Sequence, residues 1–226
     1  MLENSVLHNW KVTLDSLVTS AKNNLTYVGL AVGMVLIAAG GFYWQRTNAI
    51  KQEQLAHTIL GDVLAQYDQA AQGKASWDDV ITMAHAGYQK FSTTSVAPYI
   101  LSVEIDALLT QDKKQEAVEK LDLMISGIAA GSPLYDLYKL KQVLVKLDLS
   151  DSRDAALVEL QKLATTKSNF TDAAQYYLGL YYQDAGDQHK AIEVWQPLLA
   201  LNKDVTDENG RSPWASMVEA KMNGLA

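Results

Sequence analysis

The chain has 226 residues, a formal net charge of −7 and no cysteine. An acidic chain repels phosphate backbones, which excludes nucleic-acid binding driven by counterion release. The missing cysteines exclude disulfides, thiolate metal sites, cysteine nucleophiles and lipoprotein acylation together.

Residues 1–24 place Val6, Trp10, Leu14, Leu17, Val18 and Ala21 on one helical face. An amphipathic helix on the inner membrane surface and a frayed polar tail both account for that pattern. No charged residue occurs between Lys22 and Arg46, and Leu25–Trp44 is almost wholly apolar. About 20 such residues make a helix about 30 Å long, the thickness of a bilayer's hydrocarbon core. Tyr27 at one end and Tyr43 and Trp44 at the other suit the headgroup layers. The expectation is a single membrane-spanning helix over residues 25–46. A cleavable signal peptide ending near Ala38-Ala39-Gly40 competes with it, but the apolar run continues through Phe42, Tyr43 and Trp44. Lys11 and Lys22 flank one side and Arg46 and Lys51 the other, a near balance. The shortness of the first flank favours an amino terminus in the cytoplasm and residues 47–226 outside it.

Within the apolar run, Gly29 and Gly33 lie one turn apart, a spacing that lets a second membrane helix approach closely and that also arises by chance. Beyond it, Ile50, Leu55, Ile59, Val63, Leu64 and Tyr67 keep the helical period without a breaker, so the helix is expected to run on until Gly73. Ser76 then offers an N-cap, with Asp78 and Asp79 in the first turn.

The rest is helical at period 3.6 with no strand pattern, so the fold class is all-α. Ala84, Ala117, Ala156 and Ala191 fall 33, 39 and 35 residues apart, an uneven spacing that reads as divergent repeats and not a consensus array. The clearest unit, Ala173–Asn202, carries Leu178-Gly179-x-x-Tyr182, a Gly-Asp turn, then Ala191 and Trp195. It resembles the tetratricopeptide repeat, in which paired helices stack into a solenoid. Pro98–Ile125 and Leu137–Leu163 fit the same frame, and Ala84, Tyr88 and Phe91 fit the second helix of a degenerate first unit. Pro98, Pro133 and Pro213 sit near predicted helix starts, whereas Pro197 falls inside an apolar pattern and is expected to end or kink its helix. A last helix from Pro213, carrying Trp214, Met217, Val218, Met222 and Leu225, would cap the stack.

Chemistry is sparse. His8, His57, His85 and His189 are scattered, with no HExxH, no GxSxG and no phosphate loop, so no catalytic residue, metal or cofactor is expected. Asp78-Asp79 is explained by capping, and Lys113-Lys114 reads as a solvated turn. The remaining candidate is a concave groove lined by the first helix of each pair. Aligning the units places Tyr99, Ser102 and Asp106, then Tyr138, Lys141 and Val145, then Tyr176, Leu180 and Gln183 along it. Tyrosines there suit peptide binding or, equally, fill gaps between repeats. The pattern lacks the paired basic residues that would clamp a C-terminal carboxylate.

The plan as a whole, with the local strings FYWQR, KFSTTSVAPY and SPWASMVEAKMNGL, resembles the ancillary SecYEG translocon subunit family, the YfgM-like proteins of bacterial inner membranes. That resemblance implies a periplasmic C-terminal domain associated with a SecYEG-type translocon and a periplasmic chaperone. It also implies a chaperone role toward exported client proteins, and no catalytic residues. The alternative is a homo-oligomeric scaffold organising a cell-envelope or division complex. An enzyme assembled from scattered carboxylates is the remotest reading.

Overall fold

A computed structural model of the chain describes residues 25–202 and 212–223, with the side chains of 25–33, 35, 37 and 202 outside the description. The described residues form helices and no strand, as the period predicted. In chain order they are α1 (Leu25–Ala71), α2 (Trp77–Phe91), α3 (Ala97–Thr110), α4 (Lys114–Ser126), α5 (Pro133–Leu147), α6 (Arg153–Thr165), α7 (Thr171–Asp184), α8 (Gln188–Asn202) and α9 (Pro213–Asn223). The chain divides into two units, Met1–Leu55 and Ala56–Ala226. The expected lead over 1–24 lies outside the described residues, as do the surroundings of Gly29 and Gly33. Among the described residues no helix is long and apolar enough to cross a membrane; the expected span begins in the stretch whose side chains are not described.

Sequence dictates most helix boundaries. Ser76 stands in extended backbone before α2, and its Oγ accepts the Asp78 N–H at 3.1 Å. Ser132 caps α5 in the same way through the Tyr135 N–H, with Pro133 at the first helical position. At the other ends, α1, α3 and α7 close alike. A left-handed residue (Gly73, Asp112, Gly186) is followed by an N–H bonded five residues back, from Lys74 to Gln69, Lys113 to Leu108 and Asp187 to Tyr182. Asp112, at φ 58, is the one non-glycine residue with positive φ among the described residues. Its Cβ works against that conformation. Asp112→Gly is therefore expected to stabilise the protein by about 0.5–1 kcal/mol, less the ion pair Asp112 makes with Lys114, read as a shift in urea midpoint.

Consecutive helices pack on one another from α2 to α9, and α9 also reaches back to α7. The apolar cores follow this order. Ala56, Val63 and Ala70 of α1 join Val80, Ala84 and Phe91 of α2 and Ile100 and Val103 of α3. Leu101 and Ile105, on the other side of α3, pack with Val118, Leu121 and Met124 of α4 and Val145 of α5. Leu140 and Val143 of α5 meet Ala156 and Leu160 of α6 and Ala174 and Leu178 of α7. Tyr176 of α7 joins Ala191, Trp195 and Leu198 of α8 and Ala215 and Val218 of α9. Each core spans three successive helices, and neighbouring cores share α3, α5 or α7, the arrangement of a helical repeat in which stability is built from neighbour to neighbour.

Small residues set the spacing. Ala84, Ala117, Ala156 and Ala191 are all buried. A Cβ on Gly87 would stand 2.8 Å from Ile59 Cγ2, and one on Gly179 would overlap the Trp195 indole. The α9 helix closes the end of the stack, its Trp214 ring 5.2 Å from that of Tyr176 and 5.5 Å from that of Tyr177. Of the two outcomes expected at Pro197, an end or a kink, the end does not occur: helix α8 continues to Asn202. The ring removes one amide donor, and the fully buried Trp195 and Leu198 on either side hold the helix against the core.

Candidate functional site

The first helices α3, α5 and α7 turn one side to the cores and leave another free. On α3 and α5 that free side is polar and interlocked. Asp106 pairs with Lys141, and Ser102 Oγ donates to the Tyr99 carbonyl at 2.8 Å. Tyr138 sits half-buried against Ser102, Asp106 and Tyr99. Five of the residues placed on the groove by alignment thus come together, with Tyr99 57% exposed at the edge. Burial pushes the Tyr138 phenol above its ordinary value of 10.0; a side-chain hydrogen bond with Ser102 opposes the shift, and the charges of Asp106 and Tyr99 add to it. The folded pKa is raised, so this group's contribution to stability is complete below the unfolded value and is lost as pH rises through the folded one. Tyr138→Phe is expected to remove that alkaline loss, measured as the difference in urea midpoint between about pH 9 and about pH 11.

Between α5 and α7 the face opens into a cleft of about 510 Å³. Leu144, Leu147 and Asp148 line it from α5 at i, i+3, i+4. Tyr177, Leu180, Tyr181 and Asp184 line it from α7 at i, i+3, i+4, i+7, and Arg153 stands at the start of α6. Those spacings are single helical stripes. On α7 the stripe is what remains once Ala174 and Leu178 face α6 and Gly179 faces Trp195, whose Nε1–H donates to the Tyr176 carbonyl at 3.2 Å. An apolar, aromatic cleft with a few charged groups at its rim has the size and character of a site for side chains of another polypeptide.

This geometry corrects part of the expected groove. Val145 is buried in the core between α3 and α4, and Tyr176 is buried against α8 and α9, so neither side chain is presented on the face. Gln183 is half-buried and outside the cleft lining; Leu180 is the single aligned α7 residue that lines it. The alignment missed Tyr177, Tyr181 and Asp184 because it ran one residue out of phase along α7. Gly179 carried the missing signal, since the glycine of such a pair must face the large residue of its partner helix.

Ion pairs around the face were equally hidden. Lys114, expected in a solvated turn, is the first residue of α4. Its ammonium lies 3.1 Å from Asp148 Oδ2 and 3.3 Å from Asp112 Oδ1, and hydrogen bonding to Asp148 and then Asp112 holds its pKa above the ordinary value. Lys113 reaches Asp78 Oδ1 at 2.8 Å and, by that bond, holds the Asp78 carboxyl below its ordinary value. Behind the face, Glu104 of α3 is buried. Its Oε1 is shared by Lys120 of α4 at 2.7 Å and His85 of α2 at 3.0 Å, and Oε2 is without a hydrogen-bond partner. Among the described residues no group of three histidine, cysteine or acidic side chains is placed to hold a metal ion.

Comparison with protein-family models, with curated protein sequences and with solved structures yields no match. The class of the protein therefore rests on its own geometry, an all-helical repeat with an open cleft on the face of its first helices.

Proposed function

We propose that this chain is a membrane-anchored, tetratricopeptide-like adaptor that binds polypeptide segments at the Sec translocon and assists the biogenesis of exported proteins. The cleft between α5 and α7 carries the reading. It is open and apolar, and its two tyrosine rings combine a large contact surface with a hydroxyl handle. Binding there is modest in strength, because an extended client loses conformational entropy on docking. Catalysis plays no part in this reading.

Support for the anchor comes from the sequence of Leu25–Trp44 together with the exposure of Met34, Leu36, Phe42, Tyr43 and Trp44, large apolar side chains that water does not favour at such density. Holding the repeat at the membrane surface raises its effective concentration near a translocon there. A periplasmic location and a periplasmic chaperone as second partner follow the resemblance described above. The second reading, a homo-oligomeric envelope scaffold, draws on the exposed Ile50, Leu55 and Leu64 of α1.

Gentle detergent extraction of the tagged full-length protein, followed by mass spectrometry of what copurifies, separates the two. Translocon subunits, a periplasmic chaperone and exported proteins are the expected recovery. Self-association alone, or division proteins alone, sinks the adaptor and favours the scaffold.

A further inference from the structure

We draw no further inference here: the strongest candidate, the side-chain cluster joining α2, α3 and α4 in which Lys120 and His85 share one oxygen of the buried Glu104, carries none, because the other oxygen is closed to solvent and so to a ligand, and His85 Nδ1 stands 2.9 Å from the Lys120 ammonium and 3.0 Å from Glu104 Oε1, which gives a change in its protonation no direction.

Discussion

Trp195→Ala is expected to cost about 3–5 kcal/mol, a large part of the stability of an ordinary domain. The indole is fully buried where α7, α8 and α9 meet. It fills the space left by Gly179 and donates its one N–H to the Tyr176 carbonyl, so truncation opens a cavity and removes that hydrogen bond at once. Because each core is shared with the next, the loss should begin at the C-terminal end: Ala215 and Val218 would lose their partners first. Urea unfolding followed by far-UV circular dichroism gives the magnitude, and amide exchange should show α8 and α9 opening before α2 and α3. A loss below about 1 kcal/mol would mean that Trp195 is not the keystone of that end.

Lys120→Met should cost about 3 kcal/mol, for a different reason. Glu104 is 2% exposed and has Lys120 and His85 on one oxygen and nothing on the other. Removing the ammonium leaves a buried carboxylate with only a histidine to compensate it. The double variant Glu104→Met, Lys120→Met removes the charge together with its partner and should recover most of the loss, since a buried ion pair replaced by apolar side chains is often neutral. A double-mutant cycle in urea measures the coupling. Additive losses would show that the pair is not linked.

The helical layout was open to inspection from sequence because its signals are local. The Ser76 cap, the glycine stop at Gly73, the prolines at helix starts and the recurring alanines each act within a turn or two of chain. Pro197 does not end α8, because burial of Trp195 and Leu198 outweighs one lost amide bond, a tertiary effect that no local pattern carries. The face of the first helices was partly legible. Tyr99, Ser102, Asp106, Tyr138 and Lys141 do meet, since period and repeat frame coincide on α3 and along the first half of α5, whereas Val145 one turn on is buried in the core. On α7 a phase error of one residue exchanged Tyr177, Tyr181 and Asp184 for Tyr176 and Gln183, and Gly179 opposite Trp195 is what sets the true phase. The bridge made by Lys114 and the buried Glu104 network join residues far apart in sequence, so charge alone left them looking like solvated side chains.

The central claim is that other polypeptides dock in the cleft between α5 and α7, and site-specific photo-crosslinking in intact membranes tests it most directly. A photoreactive amino acid at Tyr181 lies in the cleft, and one at Val158 of α6, 66% exposed and outside the cleft lining, serves as the control. The account predicts crosslinks to translocon subunits and exported proteins from position 181 and not from 158. Equal yields from both positions, or none from 181, would contradict it.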